Sequence, residues 1–594
     1  MAFRIGCTPF NLPRPDAHFA PTLQLQSRFT NSCVKLAIFF VFLAFRTIFH
    51  PRLPCSILLQ ACPARKVMVY RLGGQNFVTL SKVFPLKRVT FEKLGGCSGR
   101  LESTLELTIT TADPAKLKKA LTVTNKGVKW KLKHAKQSQD FLQEKLDKWD
   151  LIGGATISDS EAYLDARARL DTITASIAGL EASVKEQFYS ENPDGSFSVP
   201  AGFWWLCDEI RDNAHLNKEI KPYYLPGLRN YQIEALAELY RHKRATLELA
   251  TGLGKSKIIA SIALAAVAAD KRVMIIVPTE YLVGQMYKQL KELHPNATAI
   301  GGDFKHAKAG WDIMVITVDS SMKFIDQPDV IILDEAHHAP AATWQEMLCA
   351  AEQATHVYNL TATAFRTDGM DLAIHAYGGP IVYARGVKWG IDNDWLSKLI
   401  VFQVWIEPTE NGSPLKLSEF VHAPRAYKRL MGAREPMALA LSKLEVGLSK
   451  GRRAMVVFRT VKAAQVFKKH CAGIVDFVVA HADKKVSKFP KLPLKHFNDG
   501  TTNVLVACDK LVSEGIDIPS ANLLILLTQN SSDITTLQMV GRILRKYEGK
   551  KDAVLIDIVT KGYDQYERAG NKRLALYNTI TPFVTTIGKD ENVY

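Results

Sequence analysis

At 594 residues, 47% hydrophobic and 23% charged, the chain is long enough for several buried cores, and its composition excludes a disordered or collagen-like protein. With 76 Lys and Arg against 59 Asp and Glu it carries a formal net charge of +17, which favours a polyanionic partner. Its nine cysteines include no Cys-x-x-Cys pair, so neither a zinc site nor a disulfide framework is indicated.

Residues 1–67 differ from the rest. They hold eight Lys or Arg, one acid (Asp16) and four of the nine cysteines. The apolar run Leu36 to Phe45 is shorter than the roughly 20 residues that span a bilayer, so no stable membrane association is expected. Three readings are open: a signal-peptide core, an acid-poor transit peptide, or upstream sequence translated from an early start with the protein proper beginning at Met68. The last is preferred, because no helical or strand period persists through the segment.

From Met68 to Thr110 short alternations suggest strands, with Leu105, Leu107 and Ile109 on one face. Leu121 to Lys133 reads as a β-hairpin turning at Asn125-Lys126-Gly127, with Val128, Trp130 and Leu132 on one face and Lys129, Lys131 and Lys133 on the other. Lys116 to Lys136 contains eight lysines and no acid, which suggests a ribbon laid on duplex phosphates, the alternative being a solvated strand face with Trp130 in the core. Asp159 to Phe188 is expected to be helical, and Glu191 to Pro200 to be a linker. Residues 68–200 are therefore read as an α+β domain that binds DNA, followed by a linker over 201–227.

Beyond Leu228 short apolar runs alternate with amphipathic helices. The runs Val273–Val277, Ile313–Thr317, Val330–Leu333, Val357–Thr361, Met455–Phe458, Phe477–Ala480, Val504–Ala507, Leu523–Leu527 and Val554–Ile558 are those of parallel sheets covered on both faces. The expected fold class is α/β, with two parallel-sheet lobes in tandem at 228–390 and 391–565 and a tail at 566–594.

Three segments carry chemistry. Ala250-Thr251-Gly252-Leu253-Gly254-Lys255-Ser256 precedes a helix, so its backbone N–H groups and the helix N-terminus would cradle phosphate. Lys255 is placed for the β/γ-phosphates and the Ser256 hydroxyl for Mg²⁺. Val330 to His337 ends a buried strand in two carboxylates, Asp334 suited to Mg²⁺ and Glu335 to polarising a water. Gln538 to Arg545 sets Arg542 and Arg545 three apart, so on a helix both would point across a cleft at a γ-phosphate.

In this order the segments resemble superfamily 2 helicases of the DExH/DEAH type, closest to the XPB, RecG and phage UvsW-like enzymes. The resemblance spans about Leu228 to Asp557. Leu228 to Gln232 (LRNYQ) looks like the adenine-reading glutamine motif, and Val277 to Leu282 (VPTEYL) like motif Ia. Ile316-Thr317 is similar to the threonine motif, Leu360 to Arg366 (LTATAFR) to motif III, Val456 to Arg459 to motif IV, and Ser513 to Pro519 (SEGIDIP) to motif V. The chain departs from the pattern in Thr361, in Ala482 after His481, and in the lysines 484, 485 and 488.

The resemblance implies RecA-like lobes, ATP and Mg²⁺ as cofactors, and ATP-dependent motion on single-stranded, duplex or branched DNA, in repair, recombination or replication. RNA is a less favoured partner, and protein partners are not indicated. It assigns adenine selection to Gln232 and triphosphate binding to Thr251, Gly252, Leu253, Gly254, Lys255 and Ser256. Asp334 positions the metal, Glu335 activates water, and His337 and Gln538 link hydrolysis to the second lobe. Gly515 and Asp517 approach the nucleotide from that lobe, and Arg542 and Arg545 act as fingers. Thr279, Thr317 and Thr363 lie along the nucleic-acid track or relay its occupancy. The alternatives are an RNA helicase, the motor subunit of a restriction system, and a degenerate helicase fold kept as a binding module. The expected location is cytoplasm, nucleoid or nucleus (host cytoplasm for a viral protein), with organelle targeting by residues 1–67 left open.

Overall fold

A computed structural model describes residues 97–594 except 153–160, 208, 306, 365, 367, 411–412, 421–422, 471–477, 481–491, 514–515, 590 and 592–594, together with four strands nearer the N-terminus. Those strands, Ala2–Ile5, Ile57–Ala61, Met68–Leu72 and Gln75–Val78, form an antiparallel sheet in that order within a unit that ends at Arg88. The segment expected to lack strand period thus supplies two strands, one of which pairs Gln60 with Val69.

The second unit, Val89 to Tyr594, contains two parallel seven-stranded sheets. The first runs in space Ala297–Ile300, Ile313–Thr317, Val273–Val277, Val330–Asp334, His356–Thr361, Arg244–Leu249, Ile381–Arg385. The second runs Val478–Ala480, Val504–Cys508, Ala454–Phe458, Leu523–Leu527, Asp552–Thr560, Lys398–Ile406, Val584–Gly588. Numbered along the chain within each sheet, both read 3-4-2-5-6-1-7. The two lobes share one topology. Their inner strands are fully buried, as sheets covered by helices on both faces require.

The tail expected after residue 565 belongs to the second lobe. The helix Asp564–Ile580 buries Tyr566, Arg573 and Tyr577, and Val584–Gly588 pairs in parallel with Lys398–Ile406. Arg573 is held by both oxygens of Asp557, at 2.8 and 2.9 Å, which offsets the cost of burying its charge.

A five-stranded sheet precedes the lobes, ordered Glu209–Ile210, Cys97–Leu101, Glu106–Thr111, Phe197–Pro200, Ser190–Glu191. Leu107, Ile109, Phe197 and Phe203 pack in one core with Met370, Leu372, Ala373 and Ala376 of the first lobe. The two expected linkers are therefore structural. Residues 190–200 supply strands, and Ala201–Leu206 is a buried 3-10 turn.

The expected lysine hairpin is not formed. After the short strand Thr122–Thr124 the chain enters a helix, Lys126–Ile152, and returns along a second, Glu161–Ala182, to the strand Lys185–Gln187 that pairs with the first. Asn125 starts the first helix by accepting a hydrogen bond from Val128 N–H at 3.1 Å, so the segment expected to turn is a helix cap. Trp130 stands 62% exposed on this helix. The helices close on a small core of their own around Leu146, Ala166 and Leu170, and form an arm rooted on the two-stranded base.

Candidate nucleotide site

The phosphate loop leaves the strand Arg244–Leu249 and enters the helix Lys255–Val267. Gly254 caps that helix at φ +78°, a left-handed conformation that L side chains rarely adopt, and a Cβ there would also lie 2.5 Å from Gln232 Nε2. Gln232 is buried against the loop. Its Nε2 donates to the carbonyls of Leu253 (3.1 Å) and Gly254 (3.2 Å), and its Oε1 accepts from Arg229 N–H at 2.9 Å. The Tyr231 hydroxyl adds a bond of 2.8 Å to the Leu253 carbonyl. The glutamine expected to read adenine braces the loop, with Tyr231 as a second brace. Beside them Trp389 and Trp395 meet the Tyr231 ring at 5.2 and 5.3 Å, and the Arg229 guanidinium lies over Trp395.

Lys255 Nζ lies 3.4 Å from the Leu249 carbonyl and 3.6 Å from Glu335 Oε1, and Ser256 follows in the first helical turn. Asp334 ends the strand Val330–Asp334, and Glu335 sits just beyond it at φ +53°, ψ +47°. This unusual backbone for a non-glycine residue turns two consecutive carboxylates into one site. Burial and the neighbouring Glu335 charge push the Asp334 carboxyl above its ordinary range. Burial also works against ionisation of Glu335, but the Lys255 and Arg542 charges outweigh it and hold that carboxylate ionised. Glu335 Oε2 is buried without a hydrogen bond.

His337 Nδ1 faces Thr361 Oγ1 at 3.2 Å and Glu335 Oε2 at 3.5 Å. Burial lowers its pKa to about 4, so the ring is neutral at pH 7. Gln538 Nε2 lies 3.5 Å from His337 Nε2, joining residues 201 positions apart across the lobes. Arg366, which sequence reasoning does not place in the site, donates from Nη1 to the His337 carbonyl at 2.5 Å.

The second lobe closes on the loop through the helix Asp533–Ile543. A Cβ on Gly541 would fall 2.6 Å from Thr251 Cβ, so only glycine allows this approach. Arg542 lies on the helix, buried, and is charged although burial and Arg545 lower its pKa to about 10. Arg545 lies past the helix end, bridged to Leu396 in extended pairing and ion-paired with Asp517. The two arginines therefore share one site but not one helical face. Lys550, also missed by sequence reasoning, clamps this corner by donating to the carbonyls of Pro519 (3.3 Å), Ala521 (2.6 Å) and Arg545 (2.9 Å). Gly515 falls outside the described residues.

Thr279, Thr317 and Thr363 follow or end the strands Val273–Val277, Ile313–Thr317 and His356–Thr361, at the carboxyl edge where open α/β sheets bind ligands. Thr279 caps the helix Glu280–Leu293 by accepting from Leu282 N–H. Thr317 and Thr363 are buried. Lys129, Lys131 and Lys133 are exposed, on the arm helix rather than a ribbon.

Comparison with known proteins agrees with this geometry. Residues 226–366 match the model described as type III restriction enzyme, res subunit, and 438–547 match the helicase conserved C-terminal domain. A DNA 3'-5' translocase, XPB2 of Sulfurisphaera tokodaii, is 27% identical over 58% of this chain and 84% of its own length. A 51.5 kDa protein of a Lactococcus phage is 27% identical over 52% of this chain and 64%, less than two thirds, of its own. The ATP-dependent DNA helicase uvsW of Enterobacteria phage T4 is 23% identical over 60% of this chain and 72% of its own. With both helicase domains in order and their motifs assembled in one cleft, the chain belongs to the superfamily 2 helicases and is a nucleic-acid-dependent ATPase of that family.

Proposed function

We propose that this protein is a DNA translocase or helicase that converts ATP hydrolysis between its lobes into movement along, or remodelling of, DNA. The observation that carries the reading is the continuous path Lys255, Glu335, His337, Gln538. It runs from the phosphate loop of one lobe to the helix of the other that bears Arg542. Lys255 is positioned to hold the β/γ-phosphates and Glu335, kept ionised, to accept a proton from the attacking water. Ser256 and Asp334 supply the hard oxygen donors suited to Mg²⁺, which when bound neutralises phosphate charge. Arg542 and Arg545 approach from the second lobe, so lobe separation would remove their charge from the phosphates. DNA is favoured over RNA because two of the relatives above are named as a DNA translocase and a DNA helicase. A role in repair or recombination belongs to the same reading.

The test is ATP turnover measured in parallel with single-stranded, duplex and branched DNA and with RNA. Strongest stimulation by a DNA form is expected. Stimulation by RNA alone would replace the substrate, and no stimulation by any nucleic acid would remove the motor reading.

A further inference from the structure

We propose that the helical arm is the element that senses nucleic acid, and that Asp368 and Arg366 carry its occupancy to the catalytic carboxylate. The proposal rests on the translocase reading above and adds the contact surface and its route to the site.

The arm is polarised. On its first helix Lys126, Lys129, Lys131 and Lys133 are exposed, Lys136 is ion-paired with Glu181 of the second helix at 2.5 Å, and no acid occurs before Asp140, whereas Asp140, Glu144, Asp147 and Asp150 mark the far half. Positive charge is therefore concentrated at the root. Trp130 stands in the middle of it, 62% exposed, with the His134 ring against it at 4.1 Å. Lysines around an exposed aromatic fit a phosphodiester backbone with an unpaired base stacked on the ring.

The root is joined to the motor. Lys126 N–H donates to the Asp368 carbonyl at 2.8 Å. The Asp368 carboxylate takes Arg366 Nε at 3.0 Å and Nη2 at 2.6 Å, and Arg366 Nη1 reaches the His337 carbonyl. His337 in turn faces Glu335 and Gln538. Displacing the basic root by a bound strand shifts the backbone that holds Asp368. That moves Arg366, and with it the His337 backbone two residues from Glu335. Arg366 and Asp368 are positioning residues in this scheme, touching neither nucleotide nor nucleic acid.

The test compares the full-length parent with Asp368→Asn and Asp368→Glu, using a forked DNA duplex with a single-stranded tail. Basal turnover, maximal stimulated turnover, the DNA concentration for half-stimulation and the melting temperature are all read. Asp368→Asn is expected to keep basal turnover and half-stimulating concentration while maximal stimulation falls at least about fivefold, the low end of measured couplings between sites. Asp368→Glu, which keeps the ion pair, is expected to recover most of it. Stimulation of Asp368→Asn equal to the parent's overturns the relay, as does a fall in basal and stimulated turnover by the same factor. A parent that no nucleic acid stimulates overturns the translocase reading itself, and so is distinguishable from failure of the relay alone.

Discussion

The Lys255 ammonium lies 3.6 Å from Glu335 Oε1, with only 10% and 14% of the two side chains exposed. This pair joins the phosphate loop to the strand-end carboxylates and keeps Glu335 ionised against its burial. Replacing Lys255 with Ala removes the cation on the β/γ-phosphates and raises the Glu335 pKa. Stimulated ATP turnover is expected to fall by about 10²–10³-fold or more, as when a preorganised electrostatic group is deleted. Steady-state turnover at saturating DNA checks it, and near-parental turnover would detach Lys255 from the chemistry.

Three buried histidines tie stability to pH. Burial lowers His337 and His375 to about 4 and His356 to about 3, from 6.5. Below pH 6.5 the unfolded chain takes up protons that the folded chain refuses. The stability held above pH 6.5 is thus lost as pH falls toward 4, at up to about 1.4 kcal/mol per pH unit for each histidine. Asp334, raised to about 6, acts in the opposite sense, one group against three. The melting temperature is expected to fall between pH 7 and pH 5. Replacing His356, which sits away from the nucleotide site with Nε2 3.2 Å from Asn217, should make that fall shallower. An unchanged slope in the His356→Gln variant would show that this ring does not drive it.

The exposed lysines of the arm give a salt signature. Changing Lys129, Lys131 and Lys133 to Gln should raise the DNA concentration needed for half-stimulation. For every phosphate that the variant no longer neutralises, the slope of log affinity against log salt should flatten by about 0.9 on duplex DNA, or about 0.7 on a single strand. Equal slopes in parent and variant would mean that these lysines only solvate the helix.

Much of the motor is legible in the sequence because strands buried on both faces read as unbroken apolar runs. Val273–Val277, Ile313–Thr317 and Leu523–Leu527 match the expected bounds. Arg244–Leu249 and Lys398–Ile406 are harder to read. Thr246, Glu248 and Gln403 interrupt their apolar runs, and their partners lie far along the chain. Val584–Gly588, an edge strand with exposed Thr585 and Thr586, hides in what reads as a tail. The arm misleads because Val128, Trp130 and Leu132 alternate with lysines over five residues, a window too short to separate a strand from a helix. The face that is buried starts later, at Leu142, Leu146 and Trp149, with helical spacing. The phosphate loop, the acid pair and Arg542 carry local signals. Arg366 and Lys550 do not, since their roles consist of bonds to carbonyls that only the fold brings near.

The most direct test of the account is ATP binding and DNA-stimulated turnover measured together for the parent and Glu335→Gln. Glutamine keeps the size of the side chain and can still hydrogen-bond, but cannot take the proton from water. Binding is expected to persist while turnover falls by about two orders of magnitude or more, as for loss of a general base. Turnover within a few-fold of the parent would place the base elsewhere and contradict the catalytic cleft described here.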